Sequence, residues 1–140
     1  MTKPNASAEE LFQFAVQAQS FAHSPYSQKT VGSALRLANG KIYSGCNIEN
    51  SSYGGTICAE RVAICKAVSE NKGALVTEIC VVSPVPAGAR PWPPCGFCRQ
   101  FLSEFATSQT QVWLANAGGV TKGMTLGELL PEAFSATDLK

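Results

Sequence analysis

Two cysteine motifs constrain this chain more than any other feature, because each lies where a helix is predicted to begin. Cys58-Ala59-Glu60-Arg61 opens an apolar helical segment, and Pro94-Cys95-Gly96-Phe97-Cys98 follows a proline-rich loop and opens another. Exposed N–H groups at a helix N-terminus favour negative charge and lower the pKa of a thiol there. If the three thiols act as one group, the fold has to bring these two helix N-termini together.

Hydrophobic periodicity and turn signals predict alternating helices and strands along the whole chain. The first helix is expected to start near Ser7, because Ser7 and Glu10 have the spacing of a capping box. The sequence predicts helices over residues 8–23, 58–71, 95–105 and 126–130, and strands over residues 31–37, 41–46, 79–83, 112–115 and 120–124.

This order predicts an α/β fold, a three-layer α/β/α sandwich around a mixed five-stranded sheet. The fourth strand is expected to run parallel to the third, because the third helix can serve as the crossover between them. With 140 residues, the chain is expected to form a single domain, residues 1–140.

Composition excludes several classes of protein. Hydrophobic residues make up 45% of the chain and charged residues only 15%, so intrinsic disorder is not expected. The net charge is +1 and no run of Lys or Arg occurs, so we expect no nucleic acid partner. We also expect no membrane span and a cytoplasmic location, because no long apolar stretch or signal-peptide core is visible. The sparse charge favours self-association.

The cysteine spacing is typical of a zinc site with three thiolate ligands, Cys58, Cys95 and Cys98. Three protein ligands leave a fourth position for water, which is the pattern of catalytic zinc. Glu60 lies two residues after the first ligand, so its carboxylate can reach that position and transfer a proton. Three thiolates exceed the charge of one zinc ion, so Arg61 is predicted to donate hydrogen bonds to the sulfurs and offset the excess.

Other roles for these residues stay open at the level of sequence. A Cys-x-x-Cys pair can be redox-active or half of a structural zinc site, and Glu60 can merely complement the helix dipole. A structural site would need a fourth ligand from Cys46, Cys65, Cys80 or His23. Cys65 lies about 10 Å along the helix from Cys58, and we expect Cys46 and Cys80 to be buried strand thiols and His23 to lie at a helix end.

Taken together, the motifs resemble those of the small, homotetrameric cytidine deaminases, over nearly the whole chain. Besides the two cysteine motifs, the matching segments are Pro25-Tyr26-Ser27, Val31-Gly32-Ser33-Ala34-Leu35, Asn47-Ile48-Glu49-Asn50 and Leu129-Leu130-Pro131-Glu132-Ala133-Phe134. The resemblance implies a zinc-dependent hydrolase of pyrimidine salvage, with one zinc ion per chain, that deaminates cytidine or deoxycytidine and assembles as a homotetramer.

The resemblance also implies roles for individual residues. Glu60 is expected to hold the pyrimidine ring nitrogen and shuttle the proton, and the backbone near Ala59 to recognise the amino group. Asn47 and Glu49 lie two residues apart, so they share one face and can bind sugar hydroxyls. Tyr53 and Phe134 are expected to close the pocket, partly across subunits, although packing between subunits is an equally good role for both.

Lys29 departs from the family, which usually has Phe at this position, packed on the base. We therefore predict that Trp92, held near Cys95 by neighbouring prolines, borders the pocket and partly replaces that ring. Alternatively, the pocket accepts a modified or larger base, as in deaminases of blasticidin-type aminonucleosides. A deaminase acting on RNA or DNA, or a non-catalytic zinc-binding module, would also fit the cysteine motifs.

Overall fold

Five strands form one mixed sheet in the middle of the molecule. A computed structural model describes all 140 residues. The strands are β1 (Gly32–Leu37), β2 (Ile42–Cys46), β3 (Val76–Val82), β4 (Gln111–Asn116) and β5 (Gly119–Thr125), in the order β2-β1-β3-β4-β5. β3 and β4 are parallel, and the other neighbours are antiparallel.

Four helices cover the sheet: α1 (Ala6–Gln19), α2 (Ala59–Glu70), α3 (Gly96–Ser103) and α4 (Leu126–Leu129). Two 3-10 turns, Tyr53–Gly55 and Ala136–Leu139, complete the structure. The element order agrees with the prediction, and α3 is the crossover between the parallel strands, as expected. None of the helices is both long and apolar enough to cross a bilayer.

Each face of the sheet has its own apolar core, which confirms the three-layer α/β/α sandwich. Successive side chains of a strand point to opposite faces, so Ala34 and Leu35, both fully buried, belong to different cores. One core joins the sheet to α1 through Ala8, Leu11, Ala15, Ala34, Cys80 and Trp113. The other joins the opposite face to α2, α3 and α4 through Leu35, Ala63, Ile64, Ile79, Leu102, Leu114 and Leu126.

The first helix begins and ends earlier than predicted. Asn5 is its N-cap, and the Asn5 side chain accepts a hydrogen bond from the Ala8 N–H at 2.9 Å. The expected capping box is wrong, because Ser7 donates to Glu78 and Glu10 pairs with Arg36 instead. The helix ends at Gln19, and His23, beyond its end, forms a β-bridge with Ile48.

Other boundaries shift by a few residues. β3 starts at Val76 rather than at residue 79. The prediction missed these residues because the polar Thr77 and Glu78 interrupt the apolar run, although Glu78 pairs with Arg36 and Gln111 and Thr77 lies at a bulge opposite Arg36 and Leu37. α3 ends at Ser103, two residues before the predicted end. α2 is less buried than its composition suggests, since Cys65, Lys66, Ser69 and Glu70 are exposed.

A close approach between helix and strand fixes the start of α2. A Cβ on Gly45 of β2 would lie 2.7 Å from the Ala63 nitrogen and 2.9 Å from the Ala59 carbonyl oxygen. Only glycine therefore allows the first turns of α2 to lie directly on β2. This contact, together with the α3 crossover, places the N-termini of both helices near the C-terminal end of β3.

A partly buried carboxylate ties α1 to three strands. Glu78 of β3 accepts hydrogen bonds from Ser7, from the Arg36 Nε at 3.0 Å and from the Trp113 Nε1 at 3.0 Å. Burial raises the pKa of Glu78, but the hydrogen bonds from Ser7, Trp113 and Arg36 outweigh it and lower the pKa below the ordinary value of 4.5.

The depressed pKa predicts how stability changes with pH. A carboxyl whose pKa is lower in the folded than in the unfolded state stabilises the folded protein. This contribution is complete at pH values above the unfolded-state pKa and is lost as the pH falls through the folded-state pKa. Glu78→Gln is therefore expected to lower the free energy of unfolding by about 1–3 kcal/mol at pH 7, and by much less well below pH 4. Denaturant melts at both pH values measure this, with exposed Glu104→Gln as control; an equal difference at both pH values would contradict it.

Candidate active site

The three thiols singled out by the sequence form one group. The Sγ atoms of Cys58, Cys95 and Cys98 all lie within 4.8 Å of one another. Cys98 is buried, Cys58 is half-buried and Cys95 is exposed, so the group opens to one side. No fourth Cys, His, Asp or Glu joins it. A closed four-ligand structural site using Cys46, Cys65, Cys80 or His23 is therefore not formed.

Backbone geometry at two helix starts aims these thiols at each other. Cys58 and Cys95 are the N-cap residues of α2 and α3, and both have extended backbones, with ψ of 152° and 166°. Neither side chain caps its helix, although both carbonyls accept the first helical hydrogen bonds, from Val62 and Arg99. Both thiols are therefore free to act as ligands.

Arg61 lies beside the thiol group, as predicted. Its Nη2 lies 3.4 Å from the Cys58 Sγ and 3.4 Å from the Thr56 carbonyl oxygen, and donates to both. A hydrogen bond with Cys98 lowers the pKa of the Cys58 thiol despite partial burial, and Arg61 lowers it further. The site therefore stabilises negative charge on the Cys58 sulfur, and a thiolate is the form that binds metal.

A cavity of about 270 Å³ opens onto the thiol group. Ala59 and Glu60 line it beside Cys58 and Cys95, and so do Val81 of β3 and Ser83, the residue that follows this strand. The remaining lining residues are Ser27, Lys29, Val31, Asn47, Thr56, Trp92 and Pro93. A cavity at the carboxyl end of a parallel strand is a common ligand site in α/β proteins.

Glu60 is the one buried carboxylate that lines the cavity, with 6% of its surface exposed. Burial raises the pKa of Glu60 to about 6. A carboxyl with a pKa near neutrality can both accept and release a proton at physiological pH. Position and pKa together make Glu60 a candidate proton carrier.

Asn47 also lines the cavity, and its side-chain amide forms hydrogen bonds with the loop before β1. The Asn47 Oδ1 accepts from the Val31 N–H at 2.8 Å, and the Nδ2 donates to the Lys29 carbonyl oxygen at 2.8 Å. One N–H of the amide and one lone pair of its oxygen stay free. Asn47 thus fixes the cavity wall and keeps capacity for a ligand.

Glu49 organises the same loop but does not line the cavity. Its Oε1 accepts from the backbone N–H groups of Tyr26 and Ser27 at 3.0 and 3.1 Å, and its Oε2 accepts from the Ser27 hydroxyl. The Ser27 hydroxyl is the main cause of the lowered pKa of Glu49. His23 holds this segment through its main chain, since its carbonyl accepts from the Glu49 N–H at 2.8 Å.

Tyr53 and Phe134 do not line this cavity within one protomer. Tyr53 is 75% exposed and contacts Tyr26, with ring centroids 5.7 Å apart. Phe134 is 57% exposed, and Gln100 Nε2 donates to its carbonyl oxygen at 2.9 Å.

Trp92 does border the cavity, as the proline-rich loop predicted. The backbone N–H of Trp92 donates to the Ser83 hydroxyl at 2.9 Å, and this hydroxyl donates to the Ala115 carbonyl oxygen. Thr56 and Ser83 are lining residues that sequence reasoning missed. Ser83 carries a usable signal, since it is the first polar residue after a buried strand, at the edge where α/β folds bind ligands.

Comparison with known proteins agrees with this geometry. Residues 5–114 match the family model described as the cytidine and deoxycytidylate deaminase zinc-binding region. The cytidine deaminase of Halalkalibacterium halodurans is 43% identical over 129 residues, which cover 92% of this chain and 95% of that protein. This chain belongs to the cytidine deaminase family.

Solved structures of the cytidine deaminase family share the fold. The cytidine deaminase of Burkholderia pseudomallei superposes with a TM-score of 0.81 at 39% identity, covering 89% of this chain and 97% of that one. The enzyme from Mycobacterium tuberculosis has a TM-score of 0.77 at 34% identity, covering 94% and 99% of the two chains.

The donor set fits the zinc ion of the cytidine deaminase family. Three clustered sulfurs, one with a lowered pKa and an arginine beside it, are ligands that suit zinc and leave one position open. The protein is therefore a zinc-dependent hydrolase, with a three-cysteine group able to hold the ion.

Proposed function

We propose that this protein hydrolyses cytidine and deoxycytidine to uridine and deoxyuridine, releasing ammonia. The observation that carries the proposal is the position of Glu60, a buried carboxylate in the same cavity as the three-thiol group. The related enzymes named cytidine deaminase support the choice of substrate.

Cys58, Cys95 and Cys98 would hold the zinc ion, with Arg61 offsetting the charge of the thiolates. When bound, zinc supplies a Lewis acid that makes water a nucleophile near neutral pH. Glu60 accepts one proton of the attacking water and delivers it to the pyrimidine ring nitrogen, where it stays, as the C4–O bond forms. Glu60 then carries the second proton, from the new hydroxyl at C4, to the amino group, so that C4 becomes a carbonyl, the C4–N bond breaks and ammonia leaves. The backbone around Ala59 positions the amino group.

Asn47 and Glu49 would bind the sugar. The Asn47 amide has a free N–H, and the Glu49 Oε2 accepts only the Ser27 hydroxyl. A ribose hydroxyl can therefore donate to the carboxylate and accept from the amide without breaking the contacts that order the loop.

A panel assay of ammonia release tests the proposal. Cytidine and deoxycytidine should be deaminated, and free cytosine and cytosine-containing oligonucleotides should not. Loss of activity after chelation, restored by zinc alone, is the second expected result. Turnover of free cytosine at the rate of cytidine would overturn the assignment of Asn47 and Glu49 to the sugar.

A modified cytosine nucleoside is the second candidate substrate, and Lys29 is the observation that favours it. Lys29 lines the cavity, and its ammonium makes no ion pair or hydrogen bond within the chain. Such a cation suits a base carrying an additional acceptor or a carboxylate. Adding a 5-carboxylated cytosine nucleoside and blasticidin to the panel tests this, and faster turnover of either than of cytidine would change the assignment.

Trp92 is predicted to pack against the bound base. Stacking of a base on an aromatic ring contributes about 1–3 kcal/mol, so Trp92→Ala should raise the KM for cytidine several-fold at unchanged zinc content. A cytidine analogue should change tryptophan fluorescence in the wild type but not in Trp92→Phe. Trp113 is an internal control, because it is 1% exposed in the core. If neither KM nor fluorescence responds, Trp92 does not contact the base.

We also propose that the chain acts as a homotetramer in the cytoplasm, in pyrimidine salvage. Several aromatic side chains are exposed, including Phe21 (77%), Phe97 (64%) and Phe134 (57%). Exposed apolar patches mark interaction surfaces, and six free cysteines fit a reducing compartment. Sedimentation should show a species four times the 14.8 kDa chain mass; an active monomer at micromolar concentration would refute the tetramer.

A further inference from the structure

Phe97 lies over the arginine that contacts the thiol group. The Cζ atom of Arg61 is 4.0 Å from the centroid of the Phe97 ring. The same guanidinium donates through Nη2 to the Cys58 Sγ at 3.4 Å. We propose that Phe97 is a positioning residue of the metal centre, whose ring holds Arg61 against the Cys58 thiolate and thereby strengthens zinc binding. The inference rests on the proposed function, because it takes the three cysteines as the zinc ligands.

The charge of the site explains why Arg61 needs to be held. Three thiolates and one zinc ion carry a net charge of −1, so a fixed cation beside the sulfurs stabilises the complex. No carboxylate holds the arginine, since Arg61 is in none of the ion pairs of the chain. Its hydrogen bond to the Thr56 carbonyl oxygen, at 3.4 Å, is long, and its other hydrogen bond is to the thiol itself.

The environment of Arg61 indicates that a contact other than its hydrogen bonds keeps the side chain in place. The Nε atom is buried without any hydrogen-bond partner. An arginine free to move would expose that N–H to water, so another contact has to keep the side chain in place. The Phe97 ring is that contact, because the face of an aromatic ring attracts a guanidinium and shields it from solvent.

Within its own protomer, Phe97 makes few other contacts. It is the residue between Gly96 and the ligand Cys98, in the first turn of α3, and its side chain is 64% exposed. Its one other aromatic contact is Phe101, with ring centroids 6.5 Å apart. Because Phe97 buries so little surface within its own protomer, its replacement by leucine should leave the fold of the protomer intact.

Zinc affinity, measured by competition with a chromophoric chelator, tests the proposal without relying on activity. Phe97→Leu is expected to weaken zinc binding about 3- to 10-fold, less than the ~10- to 100-fold lost with a group that hydrogen-bonds a ligand directly, because the ring acts on the thiolate only through Arg61. Phe97→Tyr keeps the ring face and should retain wild-type affinity. The control is Phe101→Leu, the same substitution on the same helix at a ring that does not contact Arg61, and it should leave zinc affinity unchanged.

A double-mutant comparison separates positioning from a general structural effect. In an Arg61→Gln background, Phe97→Leu should have no further effect on zinc affinity, because the residue on which it acts is gone. Cobalt-substituted protein adds a spectroscopic readout: the thiolate-to-cobalt absorption should shift in Phe97→Leu and in Arg61→Gln, but not in Phe97→Tyr.

The failure of this inference is distinguishable from failure of the proposed function. Wild-type zinc affinity in Phe97→Leu, or an equal loss with and without Arg61, overturns the positioning role while cytidine turnover is untouched. A change in sedimentation without a change in zinc affinity also overturns it and assigns Phe97 to a subunit interface. If the wild type itself holds no zinc at the cysteines, the proposed function fails first.

Discussion

Glu60→Gln is expected to lower the rate of cytidine deamination by ~10²-fold or more, as removal of a general acid/base does. Glutamine has the size of glutamate but cannot carry the proton from water to the ring nitrogen. The fold should persist, because glutamine fills the space of the glutamate side chain, which is buried with only 6% of its surface exposed. Zinc content should stay at one ion per chain, since the carboxylate is not among the three sulfur ligands.

A stability measurement separates this catalytic role from a structural one. Burial raises the pKa of Glu60 to about 6, so the ionised side chain is held in an unfavourable environment. A neutral amide is easier to bury than a carboxylate, and the thermal melting midpoint of Glu60→Gln should equal or exceed that of the wild type. An essential structural residue would give the opposite result.

Glu70→Gln is the matched control for Glu60→Gln. It is the same substitution on the same helix, but Glu70 is exposed and lies at the far end of α2, roughly 15 Å away along the axis. Its turnover, zinc content and stability should match those of the wild type. Near-normal turnover by Glu60→Gln would contradict the proposed mechanism.

The three-cysteine group could be predicted from sequence because its geometry is largely local. Cys95 and Cys98 are three residues apart at one helix start, and Cys58 occupies the N-cap position of another helix. Each of these positions follows from a loop-to-helix transition that the sequence marks. Only the proximity of the two helix N-termini depends on tertiary structure. The sequence indicated this proximity because three cysteines can bind one metal ion only if they lie close together.

The start of α1 could not be predicted, because two local patterns compete and distant residues decide between them. Asn5 and Ser7 are both good N-cap residues. The Ser7 hydroxyl instead donates a hydrogen bond to Glu78, which lies 71 positions later in the chain. Glu78 also explains why the first residues of β3 were not predicted as strand. A charged residue next to an apolar run argues against a strand unless its hydrogen-bond partners are known.

The roles of Asn47 and Glu49 show another limit of reading sequence. Both residue types fit sugar binding, but both are also good at ordering loops, and here their polar atoms bind the backbone of residues 26–31. Asn47 orders the loop and lines the cavity at once, whereas Glu49 orders the loop without lining the cavity. Only side-chain geometry shows how much hydrogen-bonding capacity is left for a ligand.

The second large effect is expected from removal of a thiol. Cys95→Ser should weaken zinc binding by more than ~100-fold, beyond the effect of contacts that merely support a ligand. Serine is itself a favoured N-cap, so α3 should still begin at Gly96, and the loss can be assigned to the missing sulfur. Zinc analysis of purified protein should fall from one ion per chain to nearly none, and cytidine turnover should fall with it.

Cys65→Ser is the control for this change, because Cys65 is an exposed thiol on α2 outside the three-sulfur group. It should keep one zinc ion per chain and wild-type turnover. Retention of a full zinc ion by Cys95→Ser, or a second stoichiometric ion in the wild type, would contradict the site.

Thermal melting adds a test that does not depend on catalysis. A metal that binds only the folded chain stabilises it by about 4 kcal/mol when its free concentration is about 1,000 times the dissociation constant. Chelation should therefore lower the melting midpoint of the wild type and of Cys65→Ser, while Cys95→Ser should start at the lower value and show no further change. A fall of equal size in all three proteins would place the stabilising ion elsewhere in the molecule.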